Sequence, residues 1–349
     1  MVKTDLTDTR HLDYLDGWRG LAIILLLIGH FFPVPGINLG RFGVNLFFVL
    51  SGLLMSQLLF IKVTPLRTFY KRRISRIFPA FYVFLIGVVC VAAFAGTAIN
   101  WPEVAMAGAF INNYFPGEIG HAVMPFGHIW SLSVEEHAYV LLSLIAVAAR
   151  RQWCSPQTAI GIFICLFCLA GIAYWRMFDA QHLEFQMWYH SEVAAYGIFI
   201  SAFFLLFFQN RKMPRLPFLA YPALGAFALV MHWWSVPLPF SMIFGVGALA
   251  LLVNLLHQAP PAIKAILSFY PLRKFGLWSF SLYLWQQPFY LTHYRSHMLA
   301  GIALILTLFA GLASYYLLEN PVRIYLNARW AKQMPDTSKR AEFARGPLA

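Results

Sequence analysis

Charge is what this chain has least of. Only 11% of its 349 residues are Asp, Glu, Lys or Arg, against roughly 25% in an ordinary soluble domain. With 60% of the residues hydrophobic, too little polar surface remains to cover a soluble globule of this size. The composition therefore specifies a polytopic membrane protein. Acidic residues are scarcer than basic ones, 14 against 26, for a net charge of +12. In a soluble chain that excess would suggest nucleic acid; in a membrane chain it reflects Lys and Arg retained on the cytoplasmic side. Cysteine is scarce too, at four residues. Cys165 and Cys168 lie mid-span in Ile-Cys-Leu-Phe-Cys-Leu without polar neighbours, so they read as small core residues, not as a redox or zinc pair. No signal-peptide cleavage pattern follows the first apolar run. No internal repeat stands out, which weakens a transporter reading.

What is present is a series of apolar windows. They predict ten spans, at about 17–34, 43–61, 77–98, 129–149, 157–175, 191–209, 217–234, 237–256, 274–292 and 298–318. The first is the weakest: its unbroken apolar core, from Leu21 to Ile28, is short, and Pro33 and Pro35 end it early. With the N-terminus inside, 23 of the 26 basic residues fall on inner segments, and only Arg41, Arg176 and Arg295 fall outside. That partition supports an all-α membrane bundle of about ten helices with both termini cytoplasmic. One integral-membrane domain, residues 1–331, is expected, followed by a polar, disordered tail over 332–349. The longest outer segment, 96–128, lacks Lys and Arg and carries Asn100, Asn112, Asn113, Glu118, His121 and His128. A lid facing the substrate and a passive connector are both open there.

Ionisable residues inside such spans need a reason, since each costs roughly 2.5–3.5 kcal/mol at mid-membrane. His30 lies eleven residues after Arg19. Eleven residues complete three helical turns with about 20° left over, so the two share a face about 16 Å apart. Arg19 then sits at the cytoplasmic edge and His30 well inside the membrane. The fourth span enters from the outside, which brings Glu135 and Glu136 to a depth comparable to His30. Successive residues point about 100° apart, so one of the two can face the histidine. A carboxylate beside an imidazole orients the ring for general-base chemistry; a structural pair holding two helices together is the plainer alternative. Just before the third span, Arg73 and Arg76 share a helical face. Guanidinium groups near a helix N-terminus suit phosphates, although inner loops are basic by default. No metal site is expected. His128 and His137 fall about 180° apart on a helix, and His121 adds no ligand spacing.

Several of these residues stand in ordered motifs. They are Asp13-Tyr14-Leu15-Asp16-Gly17-Trp18-Arg19-Gly20, the ten-residue gap from Arg19 to His30, Phe42-Gly43-Val44-Asn45-Leu46-Phe47-Phe48-Val49-Leu50-Ser51-Gly52, Arg73-x-x-Arg76, Trp130-Ser131-Leu132-x-x-Glu135, Ser281-Leu282-Tyr283-Leu284-Trp285, and Leu318-Glu319-Asn320-Pro321-Val322-Arg323. From about Leu12 to Arg323 the chain resembles the integral-membrane acyltransferase-3 family. The resemblance implies O-acylation, most often O-acetylation, of sugars and related acceptors in bacterial envelopes and of some small molecules, with the acyl group drawn from cytoplasmic acyl-CoA. It implies no bound cofactor, acyl-CoA (acetyl-CoA) as co-substrate, and a home in the bacterial inner membrane.

The resemblance also assigns roles: His30 and Glu135 as catalytic residues, and Arg19, Arg73 and Arg76 as the acyl-donor site. Asn45, Ser51, Trp130 and Glu136 are weaker candidates from the same motifs. Asn45 stands where an acidic residue is common, Ala138 where an aromatic usually precedes Tyr139, and Gln286-Gln287 where a histidine often follows Leu-Trp. The implied mechanism puts the donor phosphates at Arg73 and Arg76, with Arg19 nearby. His30, oriented by Glu135, takes the proton of an acceptor hydroxyl; an acyl-histidine intermediate is the other possibility. Two further readings compete: a secondary transporter or flippase of a lipid-linked substrate using the same groups as a proton relay, and an acyltransferase acting on a cytoplasmic or secreted small molecule.

Overall fold

The computed structural model describes residues 12–115, 124–177, 188–209, 211 and 216–332. Glu118 and His121, and the expected tail beyond Lys332, lie outside the described residues. Those described form helices, with no strand among them, only the isolated bridge between Ile37 and Trp233. In chain order the helices are α1 (Asp13–Phe31), α2 (Leu39–Ile61), α3 (Leu66–Phe94), α4 (Trp101–Gly108), α5 (Gly127–Arg150) and α6 (Pro156–Met177). They continue as α7 (Ser191–Phe208), α8 (Ala220–Val230), α9 (Leu238–Gln258), α10 (Pro261–Leu267), α11 (Tyr270–Ser296) and α12 (Ala300–Lys332). Each of the ten expected windows holds a helix. Eight are long and apolar enough to cross a membrane, while α8 is shorter. The 27-residue α11 is long enough but more polar. The chain is an all-α, multi-pass membrane bundle.

Two boundaries differ from expectation. The basic run 71–76 is not a loop preceding a helix: α3 starts at Leu66, after Pro65 has set the backbone for helix entry. Arg73 and Arg76 therefore sit two to three turns inside α3, and no helix N-terminus contributes to their chemistry. The last helix runs past the expected end at 318, through a π-helical turn at Tyr315–Glu319, to Lys332. Both ends of the bundle's sequence meet on one side. Arg273 at the start of α11 pairs with Asp13 at the start of α1 at 2.7 Å. Near the end of α12, Asn327 accepts a hydrogen bond from Ser75 of α3 at 2.9 Å, and Trp330 lies under the Lys71 ammonium. This is the basic end of the molecule.

Helix α1 is fixed against two neighbours by backbone contact. A Cβ at Gly20 would stand 1.9 Å from the Leu272 carbonyl oxygen, and one at Gly276 2.0 Å from that of Asp16. Only glycine allows α1 and α11 to touch in this way, the small-residue packing that membrane helices use in place of a hydrophobic driving force. On the other side Trp18 donates its indole N–H to the Leu46 carbonyl of α2 at 2.9 Å. The chain leaves α1 at the prolines and re-enters α2 at Asn38, whose side-chain oxygen accepts from the Arg41 amide. Opposite the basic end, the described parts of the 96–128 connection, 96–115 and 124–128, pack on the bundle. Asn112 joins the Phe126 carbonyl to Ser133 of α5, and Asn113 reaches Ser191 of α7.

Candidate active site

Two neighbouring cavities lie inside the bundle and have lining residues in common. The one toward the basic end, about 110 Å³, is lined by Arg19, Arg73, Arg76, Ser51, Glu135 and Tyr139 among others. The one toward the opposite end, about 390 Å³, is lined by His30, His128, Trp130, Tyr189, Gln287 and Tyr290 among others. Val44 and Tyr283 line both. Helix α1 thus passes both chambers and delivers Arg19 to one and His30 to the other, as their shared face requires.

In the basic chamber the expected arginine pair is divided. Arg73 donates from Nε to Glu136 at 2.8 Å and from Nη2 to Glu135 at 3.2 Å, and its guanidinium stacks 3.6 Å over the Tyr139 ring. Two carboxylates therefore neutralise it. Arg76, one turn further on and also lining the chamber, has no hydrogen-bond acceptor or ion-pair partner among the described residues. It stands in the field of Arg19, Arg73 and Arg323, opposed by Glu319. Arg19, 7% exposed, gives one bond to Asp16 at 3.1 Å. Arg76 and Arg19 are the cations with donors to spare for a phosphate-bearing ligand, whereas Arg73 braces α3 against α5.

Glu135 does not reach His30. Its oxygens accept from Ser51 at 2.9 Å, from Tyr139 at 3.2 Å and from Arg73. It belongs to the basic chamber and His30 to the other. The expected orientation of His30 by this carboxylate is therefore corrected. The physical reason lies in Arg73: a buried guanidinium draws both adjacent glutamates, because a carboxylate left unpaired at that depth would cost more than either alternative contact returns.

The partner of His30 is Gln286. The amide oxygen lies 2.7 Å from Nδ1 of the imidazole, and the amide nitrogen is committed to Gln287 Oε1 at 3.3 Å. With an acceptor facing Nδ1, that nitrogen carries the proton and Nε2 keeps its lone pair. Tyr290 stacks on the ring at 4.8 Å. Gly40 makes room for Nε2, since a Cβ there would stand 3.1 Å from it. The sequence shows Gln286 only as a departure from the family's histidine; its place one helical turn past Tyr283 was the available signal. Tyr283 itself, between the chambers, shares a hydrogen bond with Ser131 Oγ at 2.6 Å and donates to the His128 carbonyl. Burial raises the Tyr189 phenol above its ordinary value, so it enters the larger chamber as a neutral hydroxyl.

The weaker candidates separate in the same way. Ser51 lines the basic chamber and holds Glu135. Trp130 lines the larger one, packed edge-on to Phe48 at 5.9 Å. Glu136 clamps Arg73. Asn45 lines neither. It is 1% exposed and donates to His232 Nε2 at 2.8 Å, while His232 Nδ1 donates to the Ala228 carbonyl at 2.7 Å, so it fastens α2 to the turn after α8.

Comparison with known proteins identifies the family of the chain. A family described as an acyltransferase domain, acyltransferase-3, matches residues 12–318. A protein assigned as a membrane-bound transacylase, BcsY of Komagataeibacter xylinus, is 27% identical over 344 residues, covering 90% of this chain and 83% of its own length. The peptidoglycan O-acetyltransferase OatA of Listeria monocytogenes is 27% identical over 321 residues, 82% of this chain. The O-acetyltransferase OatA of Staphylococcus aureus (strain NCTC 8325 / PS 47) is 26% identical over 355 residues, 90% of this chain. The chain spans only 51% and 57% of these two OatA proteins. No solved structure matches. The chain belongs to the acyltransferase-3 family and is a multi-pass membrane acyltransferase.

Proposed function

We propose that this protein is an O-acyltransferase, acetyl in the first instance, that moves an acyl group from cytoplasmic acyl-CoA to a hydroxyl of an envelope carbohydrate or related acceptor. The observation that carries this reading is the pairing of two adjoining chambers. One holds Arg76, an arginine without an acceptor among the described residues; the other holds an imidazole whose Nε2 has no partner among them. By the charge rule the basic end faces the cytoplasm of a bacterial inner membrane. The phosphates of an anionic donor then bind at Arg76 and Arg19, and the donor's narrow arm passes Val44 and Tyr283 toward His30.

The acceptor enters the aromatic-lined chamber from the opposite end. Its hydroxyl gives its proton to His30 Nε2 while its oxygen bonds to the thioester carbon. The carbon–sulfur bond breaks, and the leaving thiolate takes the proton back from Nε2. Gln286 stabilises the Nδ1–H tautomer throughout and is a positioning residue. Val44 and Tyr283, which line both chambers, stand where the donor's arm has to cross. The relatives named for O-acetylation, one of them on peptidoglycan, support a glycan acceptor. Mass spectrometry of envelope glycans from cells with and without the gene tests the reading. An acetyl increment lost with the gene supports it, and identical glycan masses contradict it.

A further inference from the structure

One face of α11 runs along the larger chamber, from the passage at Tyr283 to the end opposite the basic one. Tyr283, Gln287, Tyr290 and Tyr294 stand at intervals of four, three and four residues, so they share that face, and all of them line the chamber. From Tyr283 to Tyr294 the helix rises by about 16 Å. Exposure climbs along the way, from 6% at Tyr283 and 8% at Gln287 to 66% at Tyr294. Tyr290 stacks on the His30 ring at 4.8 Å, and the Tyr294 ring lies 6.5 Å from that of Tyr290. Gln287 adds a polar group to this aromatic wall. Its amide oxygen accepts from Gln286 at 3.3 Å, while its amide nitrogen has no acceptor among the described residues and keeps accessible surface. The rest of the side chain is buried in the bundle, so that surface is reached from the chamber. Amide donors in a protein interior are nearly always satisfied, and an open one on a cavity wall points to a ligand oxygen.

Resting on the acyl-transfer reading, we propose that the acceptor is a chain of joined sugars, its reacting ring held by Gln287 near His30 and the next ring stacked on Tyr294. A sugar ring has an apolar C–H face and a polar edge. This wall offers an aromatic ring for the first and an N–H donor for the second. Tyr290 and Tyr294 are one helical turn apart, comparable to the step between neighbouring rings of an extended glycan. At about 390 Å³ the chamber falls in the range that buries ligands of drug size, more than a single sugar. A small alcohol would use neither Tyr294 nor most of that volume. Interfacial anchoring alone would place a tyrosine at the end of a membrane helix, but Tyr294 also lines the chamber, with its ring beside the one that covers His30. Gln287 further ties the acceptor to the base, because its oxygen is held by Gln286, whose own oxygen holds His30 Nδ1.

The test is initial-rate transfer from labelled acetyl-CoA by the detergent-purified full chain. Acceptors are glucose and N-acetylglucosamine, each as monomer and as linear dimer. Wild type, Y294A, Y294F and Q287A are compared, each checked for folding by thermal unfolding. In the wild type kcat/KM is expected to rise by about tenfold or more from monomer to dimer, through a lower acceptor KM. Y294A should reduce that gain to about twofold or less, whereas Y294F, which keeps the ring, should retain it. Q287A should raise the acceptor KM by about tenfold with KM for acetyl-CoA nearly unchanged. Should Q287A not fold, Q287M, which keeps the length of the side chain without its N–H, carries the comparison. A full length gain in Y294A, or wild-type acceptor KM without the Gln287 amide, would overturn the proposal. A monomer used as well as its dimer by the wild type also overturns it, while leaving acyl transfer standing and favouring a small acceptor. Absence of transfer to every acceptor in the wild type sinks the acyl-transfer reading itself.

Discussion

The amide oxygen of Gln286 sits 2.7 Å from Nδ1 of His30, and this contact decides which face of the imidazole does chemistry. A neutral imidazole has one donor and one acceptor nitrogen. An amide accepting at Nδ1 leaves Nε2 as the acceptor, turned to the space that Gly40 keeps open. Replacing Gln286 by Leu removes the acceptor and frees the tautomer. The expected result is a fall in kcat of about 10- to 100-fold, with KM for acyl-CoA unchanged. A histidine or asparagine at the same position should retain more activity than leucine. Initial-rate measurements with each variant check this.

Gly40 gives a steric counterpart. A Cβ at 3.1 Å from His30 Nε2 can be absorbed for alanine by a small ring shift. The branched side chain of valine cannot, and G40V should lose transfer by about 100-fold or more, the usual cost of about an ångström of misplacement. Folding, followed by thermal unfolding in detergent, should be little changed.

Arg73 and Arg76 should behave oppositely although they are one turn apart. R76A removes a cation that has no ion-pair partner among the described residues, so KM for acyl-CoA should rise by about tenfold with little loss of stability. Removing Arg73 strands the two carboxylates of Glu135 and Glu136, which its side chain neutralises. R73A should therefore cost about 3 kcal/mol of stability or more, seen first as poor recovery of folded protein. The triple variant R73A/E135Q/E136Q should regain much of that folded yield. Titration of acyl-CoA against folded R76A, beside melting curves of R73A, separates the two roles.

Asn45 should matter for folding and not for chemistry. N45A leaves His232 Nε2, at 0% exposure, without its donor. A loss of about 1–3 kcal/mol follows, while kcat of the folded fraction stays near wild type. A melting curve paired with rates normalised to folded protein measures both.

The sequence carried the fold further than it carried the site. Ten apolar windows and one-sided placement of Lys and Arg are one-dimensional signals, and each window holds a helix. Where the helix start was obscured by charge, as over Arg67–Arg76, the window began too late, because hydropathy cannot see the amphipathic turns that lead into a span. Arg19 and His30 were readable because helical periodicity alone puts them on one face. The partner of His30 was not. Glu135 and Gln286 are equally reachable in sequence terms, and which one meets the imidazole depends on the competing claim of Arg73 and on the glycine contacts that press α11 against α1. Such contacts are set by packing among helices far apart in the chain.

The most direct test of the account uses proteoliposomes with acyl-CoA on the side of the basic end and the glycan acceptor on the other. Acylated acceptor should accumulate across the membrane with wild-type protein and not with H30A. Product that forms equally with H30A, or only when donor and acceptor share one compartment, would contradict transfer between the two chambers through His30.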